Sequence, residues 1–266
     1  MDLHLNGQHV LITGGSKGIG LACAKTFLDE GAKVSLVSRD HATLVLAKKH
    51  LMDHCPEADS RIGIYSADLK NAQSAANALD QAERDSGPVD ILVNSAGAAK
   101  RAFVDDLTPE KWREAMDAKF FTYINMIDPV IKRMGARRCG VIVNVIGAGG
   151  KSPSVLHVSG GSANAALMLA TAGLAAAYAP HGVRVNAVNP GPVFTERLKE
   201  GIAVAVKHQN ITEEEALKNT TEKIALGRVA DPAEIADTVV YLASDRASYV
   251  TGTIITMDGA AHPIVV

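Results

Sequence analysis

Residues suited to binding phosphate stand near the start of the chain, in the segment TGGSKGIG at 13–20. An apolar run, 10–12, precedes it and an amphipathic stretch, 21–28, follows it. This pattern predicts a strand, a tight turn and the start of a helix. Glycines let the backbone approach a pyrophosphate, and free N–H groups at a helix start favour its negative charge. Because the spacing departs from G-x-G-x-x-G, a plain strand-to-helix turn is the alternative.

The tip of the second predicted strand, 34–37, bears on which dinucleotide would bind. The residues that follow it are Ser38, Arg39 and Asp40. An acidic side chain there would hold the ribose 2′-hydroxyl of NAD, whereas an arginine suits the 2′-phosphate of NADP. Arg39, together with Lys17, therefore favours NADP over NAD. The alternative is that both are ordinary solvated cations.

Polar or small residues follow two further apolar runs. Asp68 comes just after the run 61–65, where ligands of open parallel sheets bind. It could accept a hydrogen bond from the adenine amine, and it could equally cap the next helix. The run 89–93 ends in Asn-Ser-Ala-Gly at 94–97, and these small residues leave room for a ribose beside the backbone.

Strand and helix patterns alternate along the rest of the chain. Thr108 and Pro109 open a long helix that is predicted to run to Met134. Strands are predicted at 141–145, 183–188 and 253–257, and an alanine-rich helix at 162–178. Two capping boxes, Thr212 with Glu215 and Asp231 with Glu234, predict the starts of two further helices. The pattern predicts an α/β fold with a doubly wound parallel β-sheet, in one domain over 1–266 with a helical segment around 195–225.

Composition excludes several classes of function. Lysine and arginine number 27 against 29 acidic residues, so nothing marks a nucleic-acid surface. No run reaches the roughly 18 apolar residues of a membrane span, and a secretory leader pattern is missing. Cys23, Cys55 and Cys139 are widely spaced without a CxxC motif, which predicts buried reduced thiols and a cytoplasmic protein.

With these motifs in order, the chain resembles the short-chain dehydrogenase/reductase family over essentially its whole length. The matching segments are TGGSKGIG (13–20), NSAG (94–97), IVN (142–144), RVNAVNPGPVFT (184–195), and ALGRVADPAEIA through YVTGTIITMDG near the C-terminus. The resemblance implies a Rossmann-type oxidoreductase that uses a nicotinamide cofactor on a small-molecule substrate. In this family a Ser-Arg pair after the second strand goes with NADP.

The resemblance also implies particular cofactor contacts and an assembly. The implied contacts are Gly14, Ser16, Lys17, Gly18, Ile19, Arg39, Asp68, Leu69, Asn94, Ala96, Gly97, Pro190, Gly191, Val193 and Thr195. The implied assembly is a homotetramer or a homodimer in which two long helices pack across a two-fold axis. We expect the small-residue face of Ala163, Ala166, Ala170 and Gly173 to allow that close packing.

The chain departs from the family at its four catalytic positions. The family's tyrosine falls on Gly160, its lysine on Asn164, its serine on Gly147 and its asparagine on Lys119. In the family the tyrosine protonates the carbonyl oxygen, the lysine lowers the tyrosine pKa and the serine supports the oxyanion. Losing a general acid typically costs 10²–10⁴ in rate and losing an oxyanion donor 10²–10³.

Three interpretations of this departure stay open. In the first, the acid is relocated, and the candidates are Lys119, His157, Ser159 and Asn164. His157 could instead be a solvated loop residue, Ser159 a helix-entry residue, and Lys119 a stem over its helix with its head in water. In the second, the protein is a non-catalytic NADP-binding sensor or partner subunit. In the third, the substrate carries its own proton donor.

Two expectations concern the altered site itself. The segment 147–161 contains five glycines, which predicts a loop that is mobile without ligand. Loss of the tyrosine and serine opens volume, and we expect Lys119 to point into it, with His157 approaching when the loop closes.

Overall fold

Seven parallel strands form one sheet, in the spatial order β3-β2-β1-β4-β5-β6-β7. A computed structural model describes residues 1–97, 99–209 and 211–263 of the chain. The strands are β1 His9–Thr13, β2 Lys33–Ser38, β3 Ile62–Ser66, β4 Ile91–Asn94, β5 Gly140–Val145, β6 Val183–Pro190 and β7 Ile254–Met257. The predicted doubly wound parallel sheet is confirmed.

The strand order reverses beside β1, which pairs with both β2 and β4. Thr13 at the end of β1 lies opposite Val37 on one side and Asn94 on the other. The three carboxyl ends therefore lie level with one another. A crevice forms at such a switch point because the following connections leave toward opposite faces of the sheet.

Helices cover both faces of the sheet. They are α1 Gly18–Asp29, α2 His41–His54, α3 Ala72–Ser86, α4 Pro109–Met116, α5 Thr122–Arg137, α6 Val158–Tyr178, α7 Glu196–Gln209, α8 Glu213–Thr221 and α9 Pro232–Ala243. One buried apolar cluster includes Phe27 of α1, Leu36 of β2 and Val239 of α9. The other includes Leu92 of β4 and Met126 of α5. Each face of the sheet thus has its own core, as parallel sheets require.

Three helix starts have the caps that the sequence predicts. Thr108 accepts a hydrogen bond from the backbone of Lys111, and Pro109 is the first residue of α4. Both predicted capping boxes, at the starts of α8 and α9, are complete. These boundaries depend on contacts within one turn of helix, so a local pattern was sufficient to place them.

The long helix predicted from Thr108 to Met134 is divided in the structure. A π-helical turn, Asp117–Phe121, separates α4 from α5. Such turns insert one extra residue per turn and re-aim the side chains within it. Lys119 lies in the middle of this turn, so the division directly affects a candidate site residue.

Two smaller expectations are wrong. Asp68 does not cap α3; Asn71 does so by accepting from the backbone of Ser74, while Asp68 accepts from the backbone of Lys70. Cys139 is exposed rather than buried, although Cys23 and Cys55 are buried and all three thiols are free.

Helix α6 is apolar on two sides. By length and composition alone, Val158–His181 could cross a membrane, but here it packs on β6. Its outer face is exposed and carries Leu169 and Gly173. Ala163, which we expected on a surface face, is fully buried inside the same chain. Of the predicted small-residue face, Ala163 thus belongs to the core, Ala166 and Ala170 are half-buried, and Gly173 is exposed.

Candidate active site

A cleft of about 1150 Å³ opens at the carboxyl ends of the strands around the switch point. The glycine turn after β1 forms one wall. Gly14 has φ +68°, and a Cβ there would lie 2.9 Å from the backbone of Ala96. A Cβ at Gly20 would overlap the carbonyl oxygen of Gly14. The turn can therefore close this tightly only with glycine at both positions.

Helix α1 begins at this turn and presents free N–H groups to the cleft. In the part of the chain that the structure describes, no side chain caps α1 at Lys17, and its first turn contains no acidic residue. An uncapped helix start in a cleft attracts an anion, because the N–H groups and the helix dipole both favour negative charge. A dinucleotide pyrophosphate fits this wall.

The tip of β2 forms a polar and cationic corner of the same cleft. Ser16 Oγ donates to Ser38 Oγ at 3.2 Å, and Ser66 Oγ donates to the carbonyl oxygen of Arg39 at 2.8 Å. Asp40 caps α2 by accepting from the backbone of Ala42 at 3.0 Å. The nearest acid is thus engaged by a helix, and Arg39 is the charged residue of the tip that lines the cleft.

Most of the cofactor contacts implied by the resemblance line this cleft. They are Gly14, Ser16, Lys17, Gly18, Ile19, Arg39, Asp68, Leu69, Ala96, Gly97 and Thr195. Four do not line it, namely Asn94, Pro190, Gly191 and Val193. Ser38, Ala67 and Ser95 line it and were not among the predicted contacts. Each of these three residues follows the end of a predicted strand within two positions, and this placement could have identified them from the sequence.

Asn94 has a structural role in the described chain. It accepts from Thr13 Oγ1 at 3.2 Å and donates to Asn144 Oδ1 at 3.0 Å, and Asn144 donates to Thr171 at 3.0 Å. All four side chains are buried. Because a buried amide must be hydrogen-bonded, this chain of bonds ties β1, β4 and β5 to α6.

Lys119 is buried with its head against the end of β5. Its Nζ donates to Tyr123 Oη at 2.8 Å and to the carbonyl oxygen of Val145 at 3.2 Å. The Tyr123 hydroxyl in turn donates to the same carbonyl. The head of Lys119 is therefore bonded inside the protein and not in water, which corrects that alternative. Lys119 is not among the residues that line the cleft.

Burial shifts the pKa values of Lys119 and Tyr123 in opposite directions. Desolvation, followed by the charge of Arg197, lowers the pKa of Lys119 to about 7. Desolvation raises the pKa of the Tyr123 hydroxyl. Both shifts favour the neutral form, as expected for groups moved out of water.

The ring of His157 occupies the space above Gly160. A Cβ added at Gly160 would overlap Cε1 and Nε2 of that ring and lie 2.7 Å from Nδ1. A Cβ at Gly149, on the other side, would lie 3.6 Å from Cδ2. The imidazole thus stands where the side chain of residue 160 would begin, and it can do so only because that residue is glycine.

His157 is not the solvated loop histidine that the sequence left open. Burial, then the charges of Arg197, Arg101 and Lys119, lower its pKa to about 4. Its ring is therefore neutral at pH 7 and does not titrate near neutrality. Among the described residues, its buried Nδ1 has no hydrogen-bond partner.

Two other catalytic candidates, Asn164 and Ser159, lie on the same helix α6, and Asn164 is bonded to Gly147. Gly147 has φ +128°, and its N–H donates to Asn189 Oδ1 at 3.0 Å. Asn164 Nδ2 donates to the carbonyl oxygen of Gly147 at 3.5 Å, so this amide is bonded to the segment that follows β5. Ser159 is buried in the first turn of α6 and, of the four candidates, is the one that lines the cleft.

Two arginines that the sequence did not single out also line the cleft. Arg197 lies in the first turn of α7, and Arg101 lies in the segment after β4. Both act on the pKa of His157. Residues 101 and 197 are far apart in the chain, so no spacing pattern brings them together.

Comparisons with known proteins agree with this architecture. A family model described as "Enoyl-(Acyl carrier protein) reductase" matches residues 14–262. An acetoacetyl-CoA reductase of Rhizobium meliloti is 33% identical over 252 residues, covering 95% of this chain and 97% of that protein. A 3alpha-hydroxysteroid dehydrogenase of Mediterraneibacter gnavus is 32% identical, covering 98% and 100%.

Solved structures match over the full fold. L-sorbose reductase from Gluconobacter frateurii, complexed with NADPH and L-sorbose, superposes with a TM-score of 0.92 at 27% identity, covering 100% of both chains. An NADPH-bound short chain oxidoreductase from Pseudomonas aeruginosa PAO1, which contains an atypical catalytic center, gives a TM-score of 0.88 at 28% identity and covers 97% and 98%.

Proposed function

Because this chain belongs to the short-chain dehydrogenase/reductase family, we propose that it is an NADP(H)-dependent oxidoreductase acting on a carbonyl or alcohol group of a small molecule. Bound NADPH would supply the hydride. The residues that would hold the cofactor are the glycine turn and start of α1, the β2 tip at Arg39, and Asp68, Ala96, Gly97 and Thr195. The uncapped α1 terminus and the tight glycine turn support this assignment.

The observation that carries a catalytic function is the ring of His157 above Gly160. We infer that this imidazole takes the place of the family's tyrosine. In alcohol oxidation, the unprotonated ring nitrogen that faces the substrate would accept the hydroxyl proton as the hydride leaves, and the imidazolium would then release this proton to solvent. In carbonyl reduction the same steps would run in reverse, so the imidazolium N–H would protonate the carbonyl oxygen as the hydride arrives. Ser159 lines the adjoining cleft, and its hydroxyl would bind the same substrate oxygen.

Lys119 acts as a positioning residue in this proposal. Its Nζ and the Tyr123 hydroxyl both donate to the carbonyl oxygen of Val145, two residues before Gly147. The π turn that places Lys119 therefore anchors the end of β5 beside the altered site. We assign no proton transfer to substrate to this lysine.

Turnover of the wild-type protein tests the proposal. We expect at least one member of a panel of aldehydes, ketones and oxo acids to oxidise NADPH. The loss of NADPH absorbance measures this reaction. Tight NADPH binding without turnover of any member would contradict it. That result would favour a non-catalytic NADP sensor or a partner subunit.

Cofactor preference gives a direct binding prediction. Arg39→Ala should weaken NADPH binding by tenfold or more and leave NADH binding unchanged, because an arginine–phosphate pair contributes roughly 1.5–3 kcal/mol. Calorimetric titration of wild type and variant with both cofactors measures this. Equal wild-type affinities for NADPH and NADH would show that the β2 tip does not select the 2′-phosphate.

We propose a homotetramer or homodimer that uses the outer face of α6. Leu169 is 78% exposed there, and a Cβ at Gly173 would meet nothing within 4 Å. An apolar, flat helix face allows a second copy to pack closely across a two-fold axis. Light scattering at micromolar concentration should therefore give a multiple of the 27.9 kDa chain mass, and Leu169→Lys should reduce it. A monomer mass for the wild type would exclude this interface.

We place this activity in the cytoplasm. The three cysteines are free in the structure, which suits a reducing compartment. Helix α6 has the composition of a membrane span, but its packing on β6 supports a role in this fold.

A further inference from the structure

Two arginine side chains reach across the cleft from opposite walls. Arg101 extends from the segment after β4 to α7, where Nη1 and Nη2 lie 3.2 Å from the position that a Cβ of Gly201 would occupy. Arg197 extends from α7 in the reverse direction, and its Nη2 donates to the carbonyl oxygen of Ala99 at 3.4 Å. We call these two residues the arginine pair.

Neither guanidinium of the arginine pair has a carboxylate within ion-pair distance in residues 1–97, 99–209 and 211–263. Glu196, one position before Arg197, is paired with Lys199 at 2.8 Å. Glu200 favours the charge of Arg197, but only at longer range. The pair therefore has no ion-pair partner among these residues, although Glu200, which lines the same cleft, offsets part of its charge.

Holding two like charges together in a cleft costs free energy. Burial and then the charge of Arg101 lower the pKa of Arg197, whereas Glu200 raises it. An anion placed between the two guanidiniums would reverse the repulsion and replace lost hydration. This arrangement therefore favours a negatively charged ligand.

The arginine pair lies beside the altered catalytic site. Leu156 and Ser159, at the start of α6, line the same cleft. Both arginines are close enough to His157 to lower its pKa. Arg39, by contrast, belongs to the β2 tip, where Ser66 donates a hydrogen bond to its backbone carbonyl oxygen. The pair is therefore placed to meet the reacting end of a substrate.

We propose that Arg101 and Arg197 bind an anionic group, carboxylate or phosphate, on the carbonyl substrate, which is therefore an oxo acid or a phosphorylated carbonyl compound. The proposal rests on the oxidoreductase function proposed above. A guanidinium binds both groups through two parallel hydrogen bonds, a geometry that lysine does not offer. The anion would also offset two of the three cations that, after burial, lower the pKa of His157.

Matched substrate pairs test the proposal through turnover. Levulinate is compared with methyl levulinate, and dihydroxyacetone phosphate with dihydroxyacetone, each with NADPH. We expect kcat/KM to be at least tenfold higher for one charged member than for its neutral partner. The same comparison shows whether carboxylate or phosphate is preferred. Equal values within both pairs would overturn the proposal and leave the oxidoreductase function standing.

Arginine variants test which residues hold the anion. Arg197→Gln and Arg101→Gln should each remove most of the charged-over-neutral preference while changing the Kd for NADPH less than twofold. Arg113→Gln is the matched control, because Arg113 is exposed on α4, pairs with Glu110 at 3.3 Å and does not line the cleft. If the first two variants weaken NADPH binding as strongly as substrate use, the pair binds cofactor phosphate and the proposal is wrong.

A binding measurement separates this proposal from the oxidoreductase function. Levulinate and dihydroxyacetone phosphate are titrated calorimetrically into protein saturated with NADP⁺, where no reduction occurs. Binding of either anion that falls at least tenfold in Arg197→Gln supports the anion site, even if no carbonyl compound is ever reduced. Reduction of neutral carbonyl compounds without binding of either anion would overturn the anion site alone. Absence of both binding and turnover would overturn both.

Discussion

Gly160→Ala should lower the turnover number by between about 10²- and 10⁴-fold, the range typical for loss of a general acid or base, although it removes no functional group. The added methyl would overlap two atoms of the His157 ring, which must then leave its place. His157→Phe should give a loss of the same size, because both changes remove the imidazole from that place. The double variant should be no worse than either single one, since residues that act as a unit are not additive. Single-turnover rates with saturating NADPH measure all three.

Gly173→Ala is the matched control for this prediction. It makes the same substitution in the same helix, at a position where a Cβ meets nothing within 4 Å. Alanine in a helix interior is favoured over glycine by about 1 kcal/mol, so the fold of this variant should be stabilised and its activity retained. Because Gly173 lies on the α6 face that we propose packs between subunits, light scattering checks that the assembly of this variant is unchanged. Full activity of Gly160→Ala would mean that the ring does not act from this place.

Wild-type protein should gain stability relative to Lys119→Met as pH rises from 7 to 9. Burial lowers the pKa of Lys119 to about 7, whereas its unfolded value is 10.5. In this window the unfolded chain binds a proton that the folded protein has released, so raising the pH favours folding. The gain is about 2 kcal/mol over these two pH units. Urea unfolding of both proteins at several pH values measures the difference.

Lys132→Met provides the control for an exposed lysine. Lys132 is on α5, with its side chain 64% exposed and paired with Asp128. Its replacement should leave the pH dependence between 7 and 9 close to that of the wild type. Groups such as Cys23 titrate in all three proteins and cancel in the comparison. Parallel profiles for wild type and Lys119→Met would show that Lys119 keeps its proton in the folded protein.

Local patterns predicted much of the scaffold. The capping boxes at Thr212 and Asp231 and the cap at Thr108 are as expected, because one turn of helix contains all the atoms involved. The boundary of α6 was less well predicted. The helix begins at Val158 rather than near Ser162. The low helix propensity of Gly160 and Gly161 predicted the later start, but tertiary packing overrides that propensity.

The sequence predicted more of the residues that line the cofactor side of the cleft than of those on the catalytic side. Gly14 and Gly18 have positive φ and line the cleft, as the glycine turn suggested. Asn94 occurs in the expected motif, yet its amide is used inside the sheet. A motif specifies which residues stand near a strand end, but the hydrogen bonds available there decide which of them face the cleft.

The sequence by itself determined the alternation of strands and helices and the glycine turn after β1, and it predicted that the family's catalytic residues are missing. Each of these depends on residue type and on spacing within one or two elements. Only the tertiary structure decided that Lys119 is bonded to Tyr123 and Val145, that the His157 ring stands above Gly160, and that Arg101 and Arg197 line one cleft. Burial and charge depend on distances between segments that the chain separates widely, so side-chain direction and proton affinity follow from packing and not from local pattern.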